Sequence, residues 1–190
     1  MATAPDPDTS WLTTPPAGLV LTPGASADRN HATLVAIDDS MPELPVLRLT
    51  LGTTSVPRAV AKVVEATESF ATELGVDTTQ LVIGGRSFGG RACSVAAADG
   101  LAVNALLLLS YPLHPPGKPE KLRVDHFPDI SVPTMFVSGE KDPFGTPAEF
   151  DAHLGAIPAA TVMHWVGGGH SPKGAQEQAV VDLTRQSLVV

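Results

Sequence analysis

Three polar side chains in this sequence have the types that together make a serine hydroxyl nucleophilic. Ser87 lies in the pattern Gly85-x-Ser87-x-Gly89, and Asp142 and His170 follow it along the chain. A serine hydroxyl is a weak nucleophile until a neutral imidazole accepts its proton and a carboxylate holds that imidazole in the productive tautomer. The order serine, acid, histidine therefore predicts Ser87 as a nucleophile, His170 as its base and Asp142 as the orienting acid.

The glycine pattern lies between an apolar stretch and a stretch of small residues. Leu81–Ile83 predicts a buried strand, and Phe88–Ala98 predicts a helix that begins directly after Ser87. A serine on so tight a turn needs a strained backbone with positive φ, and a side chain two residues away on either side would collide with packed backbone. The alternative is an ordinary glycine-rich turn of an α/β protein, and the pattern alone leaves both open.

The other histidines and acids are weaker candidates. His164 lies inside the predicted strand Thr161–Val166, where a packed structural histidine is the usual case. His170 follows three glycines in a loop, which lets it reach back over a sheet. Asp142 directly follows a predicted strand, although an aspartate there is also typical of an Asx turn. The remaining candidates lie in predicted surface, helix or loop positions: His31, His126, His153, Asp125 and Asp129.

Apolar and amphipathic segments alternate along the chain. The predicted strands are Gly18–Leu21, Pro45–Leu49, Leu81–Ile83, Ala105–Leu109, Thr134–Val137 and Thr161–Val166. The predicted helices are Ala27–Asp38, Val56–Leu74, Phe88–Ala98, Pro147–Leu154 and Ala175–Leu188. This alternation predicts an α/β fold with a mostly parallel sheet and helices on both faces. The loops after parallel strands share one crevice, which is where the three polar side chains are expected to meet.

Length and charge favour one soluble domain over residues 17–190. The formal net charge of −8 argues against a nucleic-acid surface and against attraction to anionic lipid, so neither partner is expected. No apolar run is long enough to cross a bilayer. Residues 1–16 are rich in Pro, Asp and Thr and are predicted to be a flexible arm, with Trp11-Leu12 as a segment that can dock on the body. The sequence makes no prediction of oligomeric state.

Cys93 is the single cysteine of the chain, so no internal disulfide can form. This fits a reducing cytoplasm, which is the predicted location. Cys93 lies on the predicted helix after Ser87, where a small core residue is the preferred interpretation over a nucleophile. No histidines have the spacing of a zinc site, and neither a metal nor an organic cofactor is expected.

A tetrahedral acyl intermediate also needs two N–H donors directed at its oxyanion. The predicted donors are the backbone N–H groups of Phe88, directly after the serine, and of Ala25, in the loop after the first strand. Pro23 has no N–H and is excluded as a donor. The predicted substrate-binding residues around this site are Gly24, Leu113, His114 and Phe144.

Three segments resemble one known family. They are Gly85-Arg86-Ser87-Phe88-Gly89-Gly90-Arg91, Ser110-Tyr111-Pro112-Leu113-His114-Pro115-Pro116-Gly117-Lys118 and the stretch from Val132 to Gly145. Together they resemble the small dienelactone-hydrolase-like branch of the α/β-hydrolases, which includes the hydrolase-like subunit of the nonspecific-lethal chromatin complex. The resemblance covers most of Gly18–Leu188 and implies a single-domain α/β-hydrolase fold without a large cap domain. It also implies a catalytic triad of Ser87, Asp142 and His170.

The chain departs from that family in the loop after the first strand. Pro23-Gly24-Ala25-Ser26 stands where the family usually has His-Gly-Ala-Gly. The resemblance and this departure leave two possible functions for the protein. The first is a serine hydrolase that cleaves a small ester, thioester or lactone through an acyl-enzyme. The second is a non-catalytic scaffold of the same fold that serves protein–protein interaction.

Overall fold

Six strands and five α-helices alternate along residues 11–189, the part of the chain that this computed structural model describes. The strands are β1 (Gly18–Thr22), β2 (Val46–Arg48), β3 (Leu81–Arg86), β4 (Ala105–Leu109), β5 (Thr134–Gly139) and β6 (Thr161–Val166). The helices are α1 (Ala32–Ser40), α2 (Val56–Leu74), α3 (Phe88–Ala98), α4 (Pro147–His153) and α5 (Ala175–Leu188). All neighbouring strands are parallel, in the order β2-β1-β3-β4-β5-β6.

Successive residues of the central strand β4 face opposite layers of helices. Leu106 and Leu108 pack in the apolar cluster that includes residues of α2, α3 and α4, whereas Leu107 and Leu109 pack in the cluster of α1 and α5. Both faces of the sheet are therefore covered, which is why the central strands are continuous apolar runs. The predicted α/β fold is confirmed, and no cap domain is inserted within residues 11–189. No helix in this range is long and apolar enough to cross a membrane.

Helix α1 begins at Ala32, five residues later than the predicted start at Ala27. The Asn30 N–H donates a hydrogen bond of 2.8 Å to the Asp28 carboxylate, which holds the preceding residues in a turn. The His31 ring then caps the helix by accepting a hydrogen bond from the N–H two residues later. Polar side chains that bind nearby backbone groups therefore delay the start of this helix.

The predicted flexible arm, residues 1–16, packs against the body where the structure describes it. Trp11 is only 2% exposed and belongs to the same apolar cluster as α1 and α5. The carbonyl oxygen of Thr14 accepts a hydrogen bond of 3.2 Å from Asn104 Nδ2. The docking predicted for the Trp11-Leu12 segment is thus observed at Trp11, because burying a large indole is favourable. Residues 1–10 lie outside the described part of the chain.

Backbone from β1 lies unusually close to the two glycines that flank Ser87. A Cβ atom on Gly85 would overlap both the hydroxyl and the carbonyl oxygen of Thr22. A Cβ atom on Gly89 would overlap the carbonyl oxygen of Pro23. Both overlaps involve backbone of β1 or of the residue directly after it, so no side-chain movement can relieve them. The two glycines are therefore required by packing and not only by local conformation.

We expect Gly85→Ala to destabilise the fold by about 3 kcal/mol or more, because one methyl group would force β1 and β3 apart. Gly155→Ala is the matched control, since a Cβ atom on Gly155 would meet no atom within 4 Å. The control should change the free energy of unfolding by less than about 0.5 kcal/mol. Urea unfolding of both variants measures the difference, and equal midpoints would contradict the packing argument.

Candidate active site

Ser87 joins β3 to α3 in a sharp turn, and its backbone has the unusual conformation that such a turn requires. Its φ is 52° and its ψ is −116°, so the predicted positive φ is confirmed. Its N–H donates a hydrogen bond of 2.8 Å to the carbonyl oxygen of Leu109, at the end of β4. The sheet thereby holds a conformation that costs of order 1–3 kcal/mol in isolation. An ordinary helical turn would have a negative φ at this residue.

The structure brings Ser87, His170 and Asp142 into one chain of hydrogen bonds. Ser87 Oγ lies 2.8 Å from His170 Nε2, and His170 Nδ1 lies 2.8 Å from Asp142 Oδ2. A carboxylate only accepts hydrogen bonds, so His170 Nδ1–H must donate to it. In the neutral ring, Nε2 is then the acceptor of the Ser87 hydroxyl proton. This is the tautomer that a general base needs.

Both oxygens of the Asp142 carboxylate accept hydrogen bonds. Its side chain is 1% exposed, against 17% for the side chain of His170. Oδ2 accepts from His170, and Oδ1 accepts a hydrogen bond of 2.9 Å from the N–H of Phe144. The aspartate therefore forms the Asx turn that the sequence offered as the alternative, and it binds the histidine at the same time.

Close backbone contacts hold the acid loop and the histidine loop together. The Lys141 N–H donates a hydrogen bond of 2.8 Å to the carbonyl oxygen of Gly168. Gly139 has no side chain, and a Cβ atom there would lie only 2.6 Å from that same carbonyl oxygen. Above the loops, the Phe144 ring stacks on the His170 ring with centroids 3.9 Å apart and planes at 27°. These contacts restrict the direction in which His170 points.

Arg86 is a functional residue that the sequence analysis did not single out. Its Nη2 donates a hydrogen bond of 2.6 Å to the carbonyl oxygen of His170 and another to the hydroxyl of Ser171. Burial lowers the pKa of the Arg86 guanidinium, while the carboxylates of Asp142 and Glu177 favour its charged form. The guanidinium thus ties the histidine loop to the residue before Ser87. An arginine at a variable position of the Gly-x-Ser-x-Gly pattern gives no sequence signal of this contact.

A cleft of about 280 Å³ opens directly beside Ser87. The other residues that line it are Ala25, Thr54, Phe88, Arg91, Pro112, Arg123 and Phe144. Phe88 is the first residue of α3, so its N–H has no carbonyl partner within the helix. The Ala25 N–H also donates to no group among residues 11–189. Two unpaired N–H groups therefore border the cleft at the positions predicted for an oxyanion hole.

The predicted substrate-binding residues divide into two groups. Phe144 lines the cleft, and Gly24 lies against it, since a Cβ atom on Gly24 would be 3.7 Å from the Cβ of Ser87. Leu113 is fully buried in the apolar core, and His114 is 4% exposed. The prediction that these two residues line the pocket is wrong, because their side chains turn inward. His114 Nε2 lies 3.2 Å from a carboxylate oxygen of Glu149 instead.

The competing residues of the sequence analysis lie elsewhere. His126 Nε2 lies 2.8 Å from the hydroxyl of Ser94 on α3, and His31 caps α1. Burial lowers the pKa of both imidazoles. Within residues 11–189, no three His, Cys, Asp or Glu side chains lie close enough to hold a metal ion.

A parallel sheet that carries a strained serine after β3, an acid after β5 and a histidine after β6 has the arrangement of the α/β-hydrolase class. Comparison with known proteins agrees with this. Residues 17–186 match the model of a family described as "Alpha/beta hydrolase domain". The chain therefore belongs to the α/β-hydrolase family.

Solved structures share the fold over most of the chain. A dienelactone hydrolase from Anabaena variabilis superposes with a TM-score of 0.73 at 19% identity, covering 88% of this chain and 83% of that one. A thermophilic esterase from Thermogutta terrifontis gives 0.69 at 19% identity, covering 93% and 90%. Est1E from Butyrivibrio proteoclasticus gives 0.69 at 15% identity, covering 90% and 87%. The predicted membership of the α/β-hydrolases is thus confirmed, and the fold of a dienelactone hydrolase is shared over most of the chain.

Cys93 should be unreactive in the folded protein. It is buried behind β3, and burial raises the pKa of its thiol to about 12. At about pH 8, we expect Ellman's reagent to modify the folded protein roughly a thousandfold more slowly than the unfolded protein, because so little thiolate is present. The same protein in guanidinium chloride supplies the control rate. Fast labelling without denaturant would contradict the buried placement.

Proposed function

We propose that this protein is a serine hydrolase that cleaves small carboxylic esters, or the related thioesters and lactones, through an acyl-enzyme on Ser87. One observation carries the proposal. Ser87, His170 and Asp142 form a continuous chain of hydrogen bonds, with separations of 2.8 Å, beside a cleft bordered by two free N–H groups. This arrangement supplies a nucleophile, a base, an orienting acid and a place for the oxyanion.

Acylation begins when Ser87 Oγ attacks the carbonyl carbon of the bound ester. His170 Nε2 accepts the hydroxyl proton, and the carboxylate of Asp142 stabilises the imidazolium that results. The carbonyl oxygen becomes an oxyanion, which accepts hydrogen bonds from the N–H groups of Ala25 and Phe88. His170 then gives its proton to the departing alkoxide, and the acyl group stays on Ser87.

Deacylation repeats the same proton movements with water as the nucleophile. His170 accepts a proton from a water molecule, the resulting hydroxide attacks the acyl carbon, and the second tetrahedral intermediate breaks to regenerate Ser87. The cleft of about 280 Å³ favours small substrates, since drug-sized ligands occupy larger pockets. No cap domain is inserted within residues 11–189, so an acyl group displayed on a larger molecule is a second kind of substrate that the proposal allows.

A fluorophosphonate probe tests the nucleophile. We expect the purified protein to be labelled once, at Ser87, and to hydrolyse short-chain nitrophenyl esters, whereas Ser87→Ala should do neither. Ser69→Ala is the matched control, because Ser69 is an exposed serine of α2 far from the cleft. This control should keep both the labelling rate and the hydrolysis rate of the parent.

The same experiment addresses the scaffold alternative. A non-catalytic scaffold would react with the probe no faster than Ser87→Ala does, and its ester hydrolysis would equal that of the buffer. That outcome would reject the hydrolase proposal in favour of an interaction role.

Asp142→Asn should reduce kcat by about 10⁴-fold, in line with the loss that follows when an imidazole takes the wrong tautomer. The Phe144 N–H occupies the oxygen of the new amide, so the amide NH₂ group must face His170 Nδ1. The ring then carries its proton on Nε2 and cannot accept one from Ser87. Asp151→Asn, an exposed change on α4, is the control and should keep the parent kcat. Near-parent turnover of Asp142→Asn would mean that another carboxylate orients the base.

A further inference from the structure

The cleft beside Ser87 has a charge opposite to that of the chain as a whole. The sequence contains 20 acidic and 12 basic side chains. Among the described residues, the cleft is lined by two arginines, Arg91 and Arg123, and by no carboxylate. Asp142 lies behind His170 and is 1% exposed, so it does not face the cleft. A negatively charged group that entered this cleft would therefore meet two cations and no repelling side chain.

Arg91 is fixed next to the serine by the helix that both residues share. Its N–H donates a hydrogen bond of 3.1 Å to the carbonyl oxygen of Ser87, which places it one helical turn further along. Arg91 is a half-buried residue, and its Nε atom is enclosed without any hydrogen-bond partner in the described chain. A buried N–H of a charged group normally finds an acceptor, because leaving it unpaired costs about 1–3 kcal/mol or more.

Arg123 reaches the same cleft from the irregular segment after β4. Its backbone is held on both sides: the N–H donates 2.8 Å to the carbonyl oxygen of Leu113, and its own carbonyl oxygen accepts 2.7 Å from the Tyr111 hydroxyl. Burial lowers the pKa of the Arg123 guanidinium, and the positive charge of Arg91 lowers it further. The two guanidinium groups therefore repel one another across a partly desolvated space.

Neither of these arginines forms a salt bridge with a carboxylate of the described chain. Two other arginines of the described chain do form salt bridges: Arg48 with Asp38 at 2.8 Å, and Arg185 with Glu43 at 2.7 Å. Two cations kept close together, without a counter-ion, beside a nucleophile are arranged to receive an anion from outside. A guanidinium pair is well suited to the oxygens of a carboxylate or a phosphate, which it can bind through two parallel hydrogen bonds.

We propose that Arg91 and Arg123 bind an anionic group of the substrate, so that this hydrolase prefers small esters that carry a carboxylate or a phosphate. The inference rests on the proposed function of Ser87 and extends it to the class of substrate. The anion would occupy the space between the two guanidinium groups, while the ester carbonyl lies at Ser87. Because a cleft of about 280 Å³ holds both parts, the two parts must be joined by a short chain.

Two pairs of esters of matched size test the preference. The first pair places the charge on the acyl side: monophenyl glutarate against phenyl pentanoate. The second pair places it on the alcohol side: 4-acetoxybenzoate against phenyl acetate. We expect kcat/KM of the parent protein to favour the anionic ester by about tenfold or more in at least one pair. Equal values in both pairs would overturn the proposal.

Arginine variants connect the preference to these two residues. Arg91→Met and Arg123→Met each keep an unbranched apolar side chain and remove the charge. Each should lower the ratio of anionic to neutral kcat/KM by about tenfold. Arg58→Met is the control for net charge, because Arg58 is exposed on α2 and should keep the parent ratio. Arg91→Lys provides a second variant that keeps the charge, and it should restore part of the ratio without the paired hydrogen bonds.

Binding measurements separate this inference from the proposed reaction. We expect calorimetry to detect glutarate or inorganic phosphate binding to the parent and to Ser87→Ala, and about tenfold weaker binding to Arg91→Met and Arg123→Met. Comparison of the two acids identifies which anion the arginines prefer. Arginine-dependent binding without ester hydrolysis would reject the hydrolase and retain the anion site. Hydrolysis of neutral esters with no anion preference and no such binding would reject the anion site and retain the hydrolase.

Discussion

The geometry at Ser87 depends on backbone segments that approach more closely than any side chain allows. A Cβ atom on Gly84 would overlap the carbonyl oxygen of Leu107 on β4, and one on Gly85 would overlap Thr22 on β1. These contacts hold β3 close to β1 and β4, and β3 leads directly into Ser87, whose positive φ costs free energy for a residue with a side chain. The packing of the core and the exposure of the serine hydroxyl are therefore one constraint. A substitution that disturbs the packing of these strands should therefore also displace the Ser87 hydroxyl.

Sheet topology explains why the loops meet. The strand order reverses between β1 and β3, so the loops after these two strands diverge and leave a crevice between them. The loops after β5 and β6 are further away and reach this crevice through polar contacts: Lys141 binds the carbonyl oxygen of Gly168, and Arg86 binds that of His170. The sheet thus creates the crevice, and hydrogen bonds between the loops orient the Asp142 and His170 side chains within it.

Charge is distributed unevenly over this protein, because positively charged side chains surround Ser87 although the chain as a whole is acidic. A chain of net charge −8 places Arg86, Arg91 and Arg123 around one serine. Arg86 is satisfied by the histidine loop and by nearby carboxylates, so its charge stabilises structure. The other two have no such partners in the described chain, and partial burial strengthens their field by excluding water. Arg86 therefore has a structural role, whereas Arg91 and Arg123 are the arginines proposed to bind an anionic ligand.

Much of this protein was determined by local sequence. The bounds of α2, α3, β4, β6 and α5 follow from apolar periodicity and from glycines at element ends, and Ser87, Asp142 and His170 could be identified because each follows a predicted strand. Only the tertiary structure decided the directions of side chains in irregular segments. Leu113 turns into the core, while Arg123 of the same segment turns to the cleft. Such segments have no repeating pattern, so contacts with residues distant in the chain set which side chain is buried.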